Sequence, residues 1–260
     1  MNINAAGFIQ KLYLSVVEKL SWNMGLGSGG EVDSSGEEIH SYLLKDFCET
    51  PYVIFDVGAN QGKYIELICS NLNNKDYKIH AFEPSNNAFK QLEKNIMRKN
   101  LSEIKLNNYG LGKANGSAVL YYDKPGSGLA SLTKRKLVHF NIDFRYNENI
   151  EIDTIDNYVF RHNIDKIDLL KIDVEGHELD VLEGASDFLK KNVEFISFEF
   201  GGCNIDTRTF FQDFYYLFKN YDMSLYRILP RGKIYRIDSY KEIYEHFRTT
   251  NYIATRLLPL

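Results

Sequence analysis

The stretch Lys171-Ile-Asp-Val-Glu-Gly-His-Glu-Leu-Asp180 sets four carboxylates and one imidazole close together, directly after the apolar run that begins at Ile167. Groups of this kind can take a proton from a hydroxyl, hold a cationic ligand or bind a hard divalent metal. Asp173 ends an otherwise apolar strand, where a carboxylate without a partner is costly. Its candidate partners are a cationic end of a cofactor, a divalent cation or an acceptor hydroxyl. Glu175 falls on the same side as Asp173 if the strand persists that far. Gly176 then turns the chain into a helix that carries His177, Glu178, Asp180 and Glu183. His177 is placed for a general base, or else is a solvent-exposed histidine at a helix start. Glu178 and Asp180 suit the positive end of a helix dipole. Glu199, near the end of the run Val193–Phe200, approaches the same edge and could orient an acceptor. Asp173, Glu175 and Glu199 together offer the oxygen donors that magnesium prefers, should a metal be used.

A second constellation lies in Val53-Ile-Phe-Asp-Val-Gly-Ala-Asn-Gln-Gly-Lys-Tyr64, where Asp56, Gly58, Asn60 and Gly62 stand between a strand and a helix. Glycines there let the backbone approach a ligand, and the helix start supplies free N–H donors. The nicotinamide fingerprint is Gly-x-Gly-x-x-Gly. Here Gly58, Asn60 and Gly62 follow a two-residue beat instead, with a carboxylate two places before the first glycine. That loop resembles the one in S-adenosylmethionine-dependent methyltransferases, whose cofactor has a cationic amino-acid end and no pyrophosphate. Glu83 follows Gly62 at close to the offset of about 20 residues at which an acid meets ribose hydroxyls. Asn108 and Tyr109, at the end of the next strand, either face the adenine ring or form a polar turn with Gly110 and Gly112.

These residues need a frame that brings strand ends together. Apolar runs at 52–57, 78–82, 104–109, 167–172 and 193–200 alternate with helical stretches at about 61–72, 85–100, 176–190 and 207–219. Such alternation implies a mainly parallel sheet covered on both faces. Residues 223–229 and 233–237, joined by Pro230-Arg-Gly232, read as an antiparallel hairpin on the sheet edge. Residues 117–160 weaken the pattern: a strand at 118–122, a turn-rich stretch, then polar and basic residues to Asn149. An insertion of this kind often lies over the carboxyl ends of the strands, and it is the candidate substrate-recognition segment. The glycine-rich stretch 25–36 is a linker with a helix start or a lid over a cleft, and Ser35-Gly-Glu-Glu38 has capping-box spacing for a helix at 37–47.

With Asp56–Tyr64, Ala81-Phe-Glu-Pro-Ser-Asn-Asn-Ala-Phe89 and Leu169–Ala185 in this order, the chain resembles the FkbM family of S-adenosylmethionine-dependent methyltransferases over about residues 50–200. The resemblance implies an α/β, Rossmann-like class I methyltransferase fold with a seven-stranded sheet. It also implies O-methylation, often of sugar hydroxyls in polysaccharide or natural-product biosynthesis. The division expected is an N-terminal helical extension over 1–48 and a methyltransferase domain over 49–260. The alternatives are a cofactor-binding scaffold without chemistry and, less favoured by the loop, a nicotinamide-dependent oxidoreductase.

The bulk properties exclude other classes. The chain of 260 residues is 44% hydrophobic and 25% charged, which is the composition of a folded globular protein. A formal net charge of −4 supplies no general attraction for nucleic acid. Three scattered cysteines indicate neither a disulfide framework nor a zinc site, and reduced thiols fit a cytoplasmic protein. No stretch approaches the roughly 20 apolar residues of a membrane span. Phe8, Ile9, Leu12, Leu14, Val16, Val17 and Leu20 recur at near-helical spacing, as an amphipathic helix packed on the body or on a second copy in a homodimer would require. Peripheral membrane contact is the remaining alternative for that helix.

Overall fold

The computed structural model describes residues 3–72 and 77–258, with side chains from Gly7 onward. Its central sheet grows from five parallel strands, β1 (Tyr52–Val57), β2 (Tyr77–Phe82), β3 (Ile104–Asn107), β7 (Ile167–Ile172) and β8 (Val193–Phe200). β1 lies between β2 and β7, so the strand order reverses at its carboxyl end and opens a crevice there. β7 is buried along its whole length, as a strand covered on both faces must be.

The far side of the sheet carries the expected edge hairpin and one strand more. The hairpin β9 (Ser224–Leu229) and β10 (Lys233–Ile237) is present, but β11 (Thr250–Thr255) enters between it and β8, antiparallel to both β8 and β9. The order among the described residues is β10-β9-β11-β8-β7-β1-β2-β3. Leaving out the outer strand β10, this is the seven-stranded Rossmann-like arrangement of class I methyltransferases, with its inserted strand antiparallel. β11 escapes a sequence reading because all six of its residues are buried, which erases the alternation that marks a half-exposed strand.

Two apolar layers cover the faces. α2 (Ile39–Phe47), α3 (Lys63–Asn71) and α4 (Asn86–Arg98) pack on one through Leu44, Ile65, Ile68, Leu92 and neighbours. α5 (Ile155–His162), α6 (Glu178–Glu183), α7 (Ser186–Leu189) and α9 (Phe211–Asn220) cover the other, and the short α8 (Cys203–Thr207) precedes α9. The single helix expected over 176–190 is broken into α6 and α7 at Gly184, where the backbone passes so close to a neighbouring turn that a Cβ would sit 2.0 Å from the Gly112 carbonyl oxygen.

The segment 117–160 is more ordered than its polar composition suggested. A second sheet has the order β4-β6-β5, from β4 (Gly110–Leu111), β5 (Gly116–Tyr122) and β6 (Tyr146–Asp153). β6 is rich in Asn and Glu, poor strand formers, and is held by its seven-residue pairing with β5. Residues between the two strands reach back over the crevice.

At the N-terminus, α1 (Ile3–Asn23) does not pack on the body. Phe8 is 72% exposed and Leu12, Val16 and Leu20 are also exposed, because α2 to α9 already cover both sheet faces. No helix among the described residues is long and apolar enough to cross a membrane. The glycine-rich stretch, by contrast, docks: Gly29 N–H donates to the Thr249 carbonyl at 3.0 Å. The expected capping box does not form. α2 starts at Ile39 without a side-chain cap, and the Ser35 hydroxyl instead donates to Glu37 Oε2 at 2.8 Å.

Candidate active site

A cleft of about 710 Å³ opens at the carboxyl ends of β1, β2, β7 and β8. Its first wall is the loop after β1. Gly58 takes φ +87°, and a Cβ on it would lie 1.8 Å from the Asp173 carbonyl oxygen, so glycine alone lets the β1 and β7 ends touch. The Gly58 and Ala59 N–H groups donate to the Phe82 carbonyl at 2.9 and 3.0 Å, which ties the same loop to β2. Glu83 continues from β2 and accepts from the Asn60 N–H and the Ser85 N–H, each at 2.8 Å. Burial pushes its carboxyl up to about 7, against the pull of those two N–H groups. Apolar Phe82, Leu111, Leu120, Ile150 and Ile152 complete this end.

Gly58, Asn60 and Glu83 line the cleft, and Gly62, at φ +86°, turns the chain into α3 over Leu92. Asp56, Asn108 and Tyr109 are not among the lining residues. Asp56 is fully buried beneath the loop. β3 ends at Asn107, one residue short of the expected pair, so Asn108 Nδ2 turns to donate to the Glu83 carbonyl at 2.9 Å. Tyr109 packs edge-on against Phe82, 5.8 Å between ring centres. Gly110 and Leu111 stand at the cleft in their place.

The opposite end is charged. Lys171 is 5% exposed and its Nζ lies 3.3 Å from Asp173 Oδ2 and 3.7 Å from Asp56 Oδ1, over the Tyr64 ring. Burial works against its charge, but Asp173, Asp56 and Glu37 together raise its pKa. Burial lifts Asp56 to about 6, with Lys171 opposing. Asp173 itself is 40% exposed at its side chain and lines the cleft.

β7 ends at Ile172, so strand alternation does not carry Glu175 to the cleft; a left-handed turn does, with φ +54° at Glu175 and +102° at Gly176. Glu178 holds that turn. Although expected only as a helix-start acid favoured by the dipole, it is fully buried, and its Oε1 accepts from the Val174 and Gly176 N–H groups, both at 3.1 Å. Glu175 pairs with Arg135 Nη1 at 2.5 Å, and its carboxyl is pushed up to about 8 by burial and by Asp173, with Arg135 opposing. Glu199 lines the same end, raised well above the ordinary range by burial, Asp173 and Glu175.

A trio of Asp173, Glu175 and Glu199 does not make a magnesium site. No group of three His, Cys, Asp or Glu among the described residues is arranged to hold a metal ion. The Arg135 guanidinium already takes the charge of Glu175.

His177 has both ring nitrogens engaged. Nδ1 lies 2.7 Å from Asp180 Oδ2, and Nε2 lies 3.0 Å from the Thr133 hydroxyl. With Nδ1–H donating to Asp180, Nε2 presents its lone pair toward a hydroxyl, the arrangement a proton acceptor needs. The expected helix-dipole role of Asp180 is thus joined by a contact that orients the ring.

Thr133 and Arg135 come from the inserted segment and were not singled out in the sequence. Both depend on the fold: Ser131 Oγ donates to the Glu175 carbonyl at 2.8 Å, and Lys136 N–H donates to Asp206 at 3.3 Å. Gly126, Ser127, Gly128, Leu129 and Ala130 form the cleft wall next to them. Gly29 to Val32 and Glu37 line it from the N-terminal side.

The FkbM methyltransferase domain model matches residues 56–225, more than half of the chain. Hexuronic acid methyltransferase AglP of Haloferax volcanii is 31% identical over 167 residues, covering 64% of this chain and 63% of that protein. Methyltransferase sdnD of Sordaria araneosa is 28% identical, covering 57% of this chain and 65% of its own. The chain thus spans less than two thirds of the length of both relatives. The crystal structure of an FkbM methyltransferase from Methylobacillus flagellatus aligns with a TM-score of 0.47 at 16% identity, covering 78% of this chain and 43% of that one. Because the matched span contains the glycine loop, Glu83 and the whole turn from Asp173 to Asp180, this chain belongs to the FkbM methyltransferase domain family.

Proposed function

We propose that the protein is an S-adenosylmethionine-dependent O-methyltransferase acting on a hydroxyl of a sugar, sugar nucleotide or glycan. The observation that carries this reading is the Thr133 hydroxyl seated on His177 Nε2, with Asp180 behind the ring. A protein hydroxyl there stands where an acceptor hydroxyl would lose its proton. The chemistry of the donor set fits the cofactor: Glu83 has lone pairs left for ribose hydroxyls, Phe82, Leu111 and Ile152 offer an apolar wall for adenine, and carboxylates surround the other end. When bound, the cofactor supplies an electrophilic methyl carbon on a sulfonium.

The chain's own residues do the rest. The acceptor displaces Thr133, His177 takes its proton at Nε2, and Asp180 stabilises the imidazolium that forms. General-base help of this kind is worth about 10²–10⁴ in rate. Holding oxygen, methyl and sulfur in line contributes about 7–11 kcal/mol more. Asp173, Glu175 and Glu199 position the acceptor, Glu175 through Arg135 on the inserted segment. A carbohydrate acceptor draws its support from the similarity to the hexuronic acid methyltransferase.

Calorimetric titration with S-adenosylmethionine, followed by turnover on a panel of sugars and glycans, tests the reading. The expected result is binding at submillimolar cofactor and transfer to oxygen. Binding of NAD instead would overturn it, and normal cofactor binding without transfer to any member of the panel would favour a scaffold.

A further inference from the structure

The charged end of the cleft is out of balance. Among the described residues, Lys171 is the ammonium shared by Asp56, Asp173 and Glu37, one cation against three carboxylates. His40, next in the same buried group, adds no charge: burial and Lys171 push its pKa down to about 3, and its Nδ1 is engaged with the Tyr64 hydroxyl at 2.9 Å. Arg135 is committed to Glu175 and Asp206. Three carboxylates facing one ammonium, two of them buried, must keep protons or take a further cation, and the cleft is the side from which one can arrive.

Glu37 is the member of this group that the N-terminal segment delivers. It is 4% exposed yet lines the cleft, and Ser35 anchors its Oε2. The preceding Gly36 makes the approach possible: at φ +84°, a Cβ there would lie 2.2 Å from the Leu229 carbonyl oxygen. Both Ser35 and Glu37 lie outside the span matched by the family domain model.

We infer that Glu37 receives the ammonium of the methyl donor's amino-acid end, so that residues 25–38 complete the cofactor site. This rests on the donor being S-adenosylmethionine. Its amino acid brings the missing cation, and a charge-assisted N–H···O bond to a preset carboxylate is about twice as strong as a neutral one. Glu83 and the apolar wall would then hold the nucleoside, with Asp173 among the cleft residues left to face the sulfonium.

The test is a Glu37→Gln variant, which keeps the shape and an acceptor for Ser35, titrated calorimetrically with three ligands. S-adenosylmethionine and S-adenosylhomocysteine carry the ammonium; 5′-methylthioadenosine has the nucleoside and no amino acid. The expected result is about 10–100-fold weaker binding of the first two, the loss of one hydrogen bond to a charged group, with methylthioadenosine unchanged. Equal weakening of all three would assign Glu37 a structural role, and no weakening would remove it from the site; either overturns the inference. Glu37→Asp, read the same way, covers a Gln variant that fails to fold and should give a smaller loss with the same ligand selectivity. Should the wild type bind none of the amino-acid ligands, the donor assignment itself falls, a result distinct from a wild type that binds while the variant binds equally well.

Discussion

The two ends of the cleft solve the same problem in opposite ways. At the β2 end one buried carboxylate, Glu83, is satisfied by two backbone N–H groups that the glycine loop and the start of α4 present. At the β7 end several carboxylates share two cations, Lys171 and Arg135, and Glu175 and Glu199 are raised in pKa by their neighbours as well as by burial. One end is finished by the backbone alone. The other holds surplus charge that a ligand completes, and it recruits its parts from the N-terminal stretch, the inserted segment and the turn after β7. Recognition of the common nucleoside suits the first arrangement; chemistry and selectivity suit the second.

The largest effect that would sharpen this contrast is at His177. His177→Ala should lower kcat by about 10²–10⁴ while leaving cofactor affinity intact, and Asp180→Asn should lower it less; steady-state kinetics beside calorimetry separates the two. Retained turnover would remove the imidazole from the reaction. Gly58→Ala should act at both ends together, because its Cβ would strike the Asp173 carbonyl. A clash of that kind costs about 1–3 kcal/mol, visible as a lower Tm and weaker binding of both S-adenosylmethionine and methylthioadenosine. Glu83→Gln should weaken those two ligands alike, by about 1–3 kcal/mol, since its amide would turn a donor toward N–H donors. A loss confined to S-adenosylmethionine would break the division between the ends.

The smallest effect is on stability against pH. Burial raises Asp56 to about 6, Glu37, Glu83 and Glu178 to about 7 and Glu175 to about 8. Through these carboxylates the folded chain holds more protons than the unfolded one from the ordinary carboxylate range up to about 8, while His40, His80 and His246, lowered by burial to about 3, 4 and 4, hold fewer below the ordinary imidazole range. Stability from the carboxylates is full below that window and declines as pH rises through it. The two sets oppose each other below the imidazole range, so thermal melts of the ligand-free protein should show Tm falling above it, toward pH 8, and S-adenosylmethionine should flatten the decline by supplying cations in place of protons. A Tm that rises from the imidazole range toward pH 8 would contradict the charge surplus.

Much of this was legible in the sequence because it is local. The strand-turn-helix around Gly58, the acid after β2 and the Asp173–His177 turn are set by glycine positions, strand ends and spacing within short windows. What escaped depends on distant docking. Glu37 is polar and precedes a helix, so nothing in its neighbourhood signals burial; the Leu229 and Thr249 carbonyls that seat its loop lie some 200 positions away. Thr133 and Arg135 sit in a stretch whose composition looks like a solvated loop, and only the β5–β6 pairing turns it over the cleft. Glu178 and Asp180 looked like ordinary helix-start acids, because helix periodicity alone does not tell a buried staple or a ring-orienting partner from a dipole-favoured charge. In α1 the reverse occurred: its apolar spacing is plain, and the body of the chain offers it no face.

Methyl transfer to a hydroxyl at His177 is the reaction proposed for the cleft. It is tested most directly by mass spectrometry of a carbohydrate panel, neutral and uronic, incubated with methyl-labelled S-adenosylmethionine and either wild-type protein or His177→Ala. Label is expected on an acceptor oxygen with the wild type, and little with the variant. Label transferred equally by both, or carried on nitrogen or carbon, would contradict it.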